Sequence, residues 1–188
     1  MEFERFKPLF KLIESEMQKR ERTVLAIDGA AASGKSTLAA FLAEKYGAET
    51  VHMDDFFLPH ERKTPARLAE FDGNIDRERF AAEVLPYIRE AKPFSYGKYD
   101  CSAGAVLSRI ELGTSRLAVV EGVYSLSPCF ERFYDIKIML TISKEEQLAR
   151  LEARCAPWQL EKFKSVWLPL EERYFTLGGI REKCDIVF

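Results

Sequence analysis

Apolar residues along the chain fall into two alternating rhythms. Short continuous runs occur at Thr23–Asp28 (TVLAID), Glu49–Asp54, Arg116–Glu121 (RLAVVE), Asp135–Thr141 (DIKIMLT) and Asp185–Phe188. Glycine or polar residues bound them, the pattern of strands buried on both faces. Between them, apolar residues recur three and four apart. Ser36–Tyr46 puts Leu38, Phe41, Leu42 and Tyr46 on one helical face and stops at Gly47. Arg77–Glu90 does the same with Phe80, Val84, Leu85 and Ile88. Met1–Arg20 aligns Phe3, Phe6, Phe10, Ile13 and Met17, with Pro8 either kinking that helix or marking its start. Ser143 followed by Glu146 reads as a capping box. Pro157 begins a last helix with Leu160, Phe163, Trp167, Leu170 and Tyr174 inward, bent near Pro169 and closed by Gly178-Gly179.

Five apolar strands separated by helices predict an α/β fold with a parallel sheet between two helical layers. Two segments break the alternation. Phe56–Asn74, with its charged clusters, Pro59, Pro65 and Gly73, reads as an ordered loop. Lys92–Gly113 reads as an antiparallel hairpin turning near Ser102–Gly104. Insertions this long in one domain are usually functional. No repeat, linker or low-complexity tract divides the chain, so residues 1–188 are expected to form one domain.

Composition narrows the function classes. The 188 residues are 47% hydrophobic, enough for a substantial core. Twenty-eight basic residues against 30 acidic ones, a net charge of -2, leave no broad positive field for nucleic acid. No run approaches the roughly 18 apolar residues of a membrane span, and the charged segment Met1–Arg20 is not a secretory signal. Cys101, Cys129, Cys155 and Cys184 have no paired spacing and read as reduced thiols of a cytoplasmic protein.

The candidate chemistry begins at Gly29-Ala30-Ala31-Ala32-Ser33-Gly34-Lys35-Ser36, followed by Thr37. This G-x-x-x-x-G-K-S run follows a strand and opens a helix. Its glycines let backbone N–H groups converge on phosphate oxygens at a helix N-terminus. Lys35 can reach the terminal phosphates and the Ser36 hydroxyl can ligate Mg²⁺. Asp54 and Asp55 close the second strand on the same sheet edge, where ligands of open parallel sheets bind. Asp54 is the candidate base for an acceptor hydroxyl, and Asp55 either approaches the metal or orients the loop. A solvated acidic turn is the alternative. Glu121, at the end of a wholly apolar strand, is the candidate acid beside Ser36 at Mg²⁺. His52 reads as a hydrogen-bonded packing residue. Arg150 and Arg154, four apart on a helix, could close over ATP or pair with Glu146 and Glu152.

The ordered series IDGAAASGKST, HMDDFF, GNIDRERF, Tyr99-Asp100, VVEG and the L-x-R-x-x-x-R helix resembles the uridine kinase group. That group stands with phosphoribulokinase and bacterial pantothenate kinase among the P-loop kinases. The resemblance spans nearly the whole chain. It implies a nucleoside-monophosphate-kinase-like core of five parallel strands in three layers, with a β-hairpin substrate element (insert about 56–113) and a helical lid (about 143–160). It implies ATP and Mg²⁺, a small-molecule acceptor, and self-association through no specified interface. By that resemblance Asp54 is the catalytic aspartate, Asp76 binds ribose hydroxyls, Tyr99 lines the nucleoside pocket, and Arg150 and Arg154 are lid arginines. Arg173 is a further phosphate-facing candidate. Asp76 also stands where an N-cap is needed, and Tyr99 could simply pack. One departure stands out. Uridine kinases carry a histidine shortly after that tyrosine, whereas here only His52 and His60 occur. The expected activity is therefore phosphorylation of a primary hydroxyl, a nucleoside 5′-OH first. Another metabolite (a pantothenate-like compound or a sugar alcohol) and a non-catalytic nucleotide-binding module are the alternatives.

Overall fold

The computed structural model describes residues 3–188. A 3₁₀ turn at Phe3–Phe6 leads into α1, Lys7–Lys19, with Pro8 in its first turn, so proline marks the start of the helix. The expected start at Met1 lies outside the described residues. Phe6, Leu9 and Ile13 are the buried positions, while Phe3, Phe10 and Met17 pack at the margin. Strand β1, Thr23–Gly29, is buried throughout, and α2, Lys35–Tyr46, ends on Gly47 in a left-handed conformation that donates to the Ala43 carbonyl.

Strand β2 is Glu49–His52, shorter than expected, because Met53–Phe56 coils into a 3₁₀ turn carrying Asp54 and Asp55. The segment read as a loop holds two more short turns, 3₁₀ at His60–Arg62 and α3 at Pro65–Ala69, which Thr64 caps. Helix α4 runs only from Arg77 to Glu83. Pro86 has no N–H to give and its ring crowds the preceding turn. Even so, Phe80, Val84, Leu85 and Ile88 are all buried as their periodicity requires.

The hairpin comprises β3, Phe94–Asp100, and β4, Ala105–Leu112, antiparallel with a bulge at Lys98/Tyr99. Strands β5, Leu117–Glu121, and β6, Ile136–Leu140, follow. Ser143 caps α5, Lys144–Arg154, but Glu146 turns to Arg150, so only one half of the capping box forms. The last long helix is α6, Pro157–Lys162, a π turn at Phe163–Trp167, and α7, Leu168–Gly178. Pro169 cannot donate to the preceding turn, and the π turn just before it accommodates the break. Strand β7, Ile186–Val187, ends the chain.

The five-stranded sheet has order β2-β5-β1-β6-β7 and is parallel throughout. Alternation along its strands divides the core. Leu25, Ile27, Leu117 and Val119 face α1 and α2, while Val24, Ala26, Ala118 and Val120 face the aromatic cluster of Phe56, Phe80, Tyr96, Phe130 and Tyr174. Sheet order brings the ends of β2, β5 and β1 side by side, with His52 opposite Glu121 and Glu121 opposite Ile27. At the far end the buried Arg22 bonds Glu49 at 2.9 Å and the carbonyls of Glu90 and Gly113, anchoring the root of the hairpin.

Asp28, fully buried, accepts from the N–H of Gly29 (2.7 Å) and of Leu126 (2.8 Å) and from the Tyr174 hydroxyl (2.7 Å). One carboxylate thus joins β1, the chain after β5, and α7. Tyr174→Phe is expected to cost about 1–2 kcal/mol of stability. Asp28→Asn should cost about 2–3 kcal/mol, because an amide NH₂ would face N–H donors. Urea denaturation of both variants tests this, and an unchanged midpoint would refute it.

Candidate active site

The Gly29–Ser36 loop starts where β1 meets β6. A Cβ on Gly29 (φ 140°) would lie 2.2 Å from the Leu140 carbonyl oxygen, so only glycine fits. Ala32 (φ 61°) and Gly34 (φ 100°) complete the curl with left-handed backbone. Lys35, nearly buried, turns its Nζ back to the carbonyls of Gly29 (2.8 Å) and Ala30 (2.9 Å). That fold-back satisfies an ammonium group whose other natural partner is phosphate. Ser36 and Thr37 are exposed at the first turn of α2, beside the loop.

The Ser36 hydroxyl donates to Glu121 Oε1 at 3.0 Å, although the two residues come from different strand–helix units. Glu121 is otherwise buried, and His52 Nδ1 approaches the same oxygen at 2.6 Å. That contact, first, raises the His52 pKa, against the opposing effect of burial. A hydroxyl and a carboxylate at this spacing are hard oxygen donors of the kind Mg²⁺ takes in ones and twos, leaving its other positions for water and phosphate oxygens. The donor set therefore fits Mg²⁺. Among the described residues no cluster of three or more His, Cys, Asp and Glu side chains forms a cage for a metal.

Asp54 faces the loop from the turn after β2. Its surface remains open to water, while protein packed around the carboxyl pushes its pKa up; Lys35 is the largest charge acting in the opposite direction, and Glu121 adds to the rise. Asp55 is buried and accepts the Tyr96 hydroxyl at 3.0 Å, so it orients the turn against the hairpin. Arg79 reinforces this joint. It donates to the carbonyls of Asp55 and of Gly97 (2.6 Å) and stacks over Phe56 at 4.2 Å.

Asp76 is buried and caps α4 by accepting the Arg79 N–H at 3.1 Å, while its other oxygen accepts from Arg62 at 2.6 Å. Tyr99 is buried with a hydroxyl that has no partner. A Cβ on Gly104, in the hairpin turn, would lie 3.5 Å from the His60 ring and 3.9 Å from that hydroxyl. The hairpin thus lacks a histidine of its own, yet a ring from the preceding insert reaches it. No local pattern marks His60 for that place.

The two arginines of α5 diverge. Arg150 donates to the Ala32 carbonyl at 2.9 Å and pairs with Glu146, whereas Arg154 sits 6.0 Å over the Phe163 ring. Arg173 points away from the loop, with both ends of its guanidinium on the carbonyls of Leu68 and Ala69. Two residues at the loop escaped sequence reasoning. Glu171 accepts the Ala31 N–H at 2.9 Å and Gln147 donates to the Ala31 carbonyl at 3.1 Å, both from buried side chains. The available signal was a polar residue on the inward stripe of each helix: Glu171 one turn from Trp167, Gln147 one turn from Leu151.

The cysteines are all free, and no helix among the described residues is long and apolar enough to cross a membrane. No protein-family model matches the chain. Solved structures do resemble it. A possible uridine kinase from Bacillus stearothermophilus superposes with a TM-score of 0.68 at 21% identity, covering 96% of this chain and 99% of that one. D-glycerate 3-kinase from Cryptococcus neoformans var. grubii gives 0.64 at 14% identity, covering 88% and 87%. Phosphoribulokinase from Rhodobacter spheroides gives 0.52 at 15% identity, covering 89% and 70%. At these identities the likeness is one of fold: a five-stranded parallel α/β core.

Proposed function

We propose that the chain is an ATP- and Mg²⁺-dependent kinase that phosphorylates a primary hydroxyl of a small molecule, a nucleoside 5′-OH first among the candidates. The observation that carries this reading is Asp54 at the sheet edge, with Lys35 of the phosphate loop as the strongest attraction on its carboxyl. The backbone N–H groups of Gly29–Ser36 other than those of Gly29 and Ala31, which Asp28 and Glu171 hold, bind and orient the triphosphate together with the Lys35 ammonium. Ser36 and Glu121 hold Mg²⁺, which when bound neutralises charge on the phosphates. Asp54 accepts the proton of the attacking hydroxyl, and Asp55 fixes the turn that aims it. Asp76 and Tyr99 hold the acceptor, with Arg150 at the Ala32 end of the loop and Arg154 on the same lid helix. Exclusion of water by that lid favours transfer to the acceptor over hydrolysis.

The Tyr99 hydroxyl, without a partner among the described residues, supports an acceptor with a hydrogen-bonding group, and His60, on the other side of the Gly104 turn, supplies a second polar group. A nucleoside fits that pair. The missing histidine after Tyr99 is the feature that favours the second reading, a sugar or pantothenate-like acceptor. The reading rests on a soluble protein acting on small molecules, and self-association remains part of it.

Asp54→Asn should leave ATP binding nearly intact and lower transfer by roughly 10²–10⁴-fold. Equal turnover in that variant would remove Asp54 from the mechanism. In the native enzyme only ionised Asp54 can accept the proton, so kcat should fall as pH drops through a value above the ordinary 3.8; a kcat profile flat across the acid range would contradict this. Tyr99→Phe deletes an unsatisfied buried hydroxyl. It should leave thermal stability unchanged or higher while raising the acceptor KM roughly tenfold, the ATP KM staying constant. ADP release measured across nucleosides, pantothenate and sugars identifies the acceptor; ATP binding without acceptor-dependent ADP release would leave a regulatory module.

A further inference from the structure

We propose that Glu171 is a positioning residue of the phosphate-binding loop, and that it couples nucleotide binding to the uptake of one proton. The inference rests on the reading of Gly29–Ser36 as a nucleotide site.

Ala31 is held at both of its backbone polar groups. Its N–H donates to Glu171 Oε2 at 2.9 Å, and its carbonyl accepts from Gln147 Nε2 at 3.1 Å. The next residue, Ala32, holds a φ of 61°, a left-handed conformation that is unfavourable for a residue with a side chain. Strain of this kind persists only where neighbours impose it. The grip on Ala31 and the Arg150 bond to the Ala32 carbonyl at 2.9 Å are those neighbours. Helices α5 and α7 therefore set the shape of the loop from the side opposite the phosphates.

Among the described residues no cation forms an ion pair with Glu171. From the loop it faces Lys35, from β1 and the turn after β2 it faces Asp28 and Asp54, and from the segment after β5 it faces the buried Tyr124. Neighbouring cations are engaged elsewhere: Lys144 with Glu172 at 3.0 Å, Lys164 with Glu152 at 3.1 Å, and Arg150 with Glu146. Burial pushes the Glu171 carboxyl up to about 7, against the Ala31 hydrogen bond and Lys35, which pull it down. A cavity of about 410 Å³ between α5 and α7 is lined by Ala30, Gln147 and Glu171, with the exposed Lys144 and Glu172 on its rim. It gives water, and hence protons, access to the carboxyl.

Phosphates arriving on the front of the loop add negative charge close to Glu171 and favour its neutral form. A protonated carboxyl still accepts the Ala31 N–H through its carbonyl oxygen, so the grip survives and the repulsion disappears. Below about pH 7 the group is already protonated and affinity does not change with pH. Above it, binding must take up the proton, and affinity falls with a limiting slope of about tenfold per pH unit.

The test is calorimetric titration with Mg²⁺ and a non-hydrolysable ATP analogue from pH 6 to 8.5, in buffers of different ionisation enthalpy. Proton release by the ligand itself is common to every variant and cancels in the comparison. Wild type should show the affinity loss above neutrality together with proton uptake. Glu171→Gln, which keeps an acceptor for the Ala31 N–H, should bind with the low-pH affinity of wild type and lose both effects. Glu171→Ala, without an acceptor, should bind about tenfold more weakly at every pH. Glu171→Gln with the slope and proton uptake of wild type, or Glu171→Ala with wild-type affinity, would overturn the proposal. Lys35→Ala separates the two levels. If wild type binds, Lys35→Ala does not, and Glu171→Gln matches wild type throughout, the nucleotide site stands and the role of Glu171 falls. If wild type binds no nucleotide, both fall.

Discussion

Everything at the sheet edge depends on the joint where β1 turns into the phosphate loop. Its centre is the Asp28 carboxyl, which has no ion-pair partner among the described residues and is held by three donors from three parts of the chain. Burial drives its pKa up to about 6 while those hydrogen bonds and Lys35 pull it down. The joint tolerates no slack, because Gly29 lies against the Leu140 backbone without room for a Cβ. Loop, α7 and the segment after β5 are consequently tied to one another, which fixes where Lys35 stands relative to Glu121.

The two halves of the site are built differently. The phosphate half is covered on three sides by the most buried strands and by α5 and α7, so its backbone can keep a left-handed alanine. The half proposed to hold the acceptor is a turn and a two-stranded hairpin attached through a few polar contacts: Tyr96 on Asp55, and Arg79 on the Asp55 and Gly97 carbonyls. A site with a stiff cradle and a lightly tethered acceptor element can vary its acceptor while keeping its phosphate chemistry. Structures that share the fold carry names as different as uridine kinase, glycerate kinase and phosphoribulokinase.

Charge within the site is arranged around one ammonium. Lys35 pulls against burial at Asp54, Asp28 and Glu171, three carboxyls that share its field from different directions. Its own hydrogen bonds go to two backbone carbonyls, which carry no net charge and can be exchanged for phosphate oxygens.

Much of this was legible in residue order, because the relevant forces act locally. The five apolar runs became the five strands, Gly47 ended its helix, Gly29–Ser36 formed its loop between strand and helix, and the hairpin turned at 101–104. Asp54 and Glu121 reached one edge because parallel strands all end on the same side. Local order also misled: Pro86 cut short a helix whose apolar spacing continued past it, and the arginines of α5 shared a spacing but not a destination. Contacts between distant segments could not be read in this way. Asp28 with Tyr174, Glu171 with Ala31 and His60 beside Gly104 each join residues whose local surroundings say nothing of the partner. Periodicity reports which face of an element is buried, not which polar group waits on the other side, and that choice belongs to the packed fold.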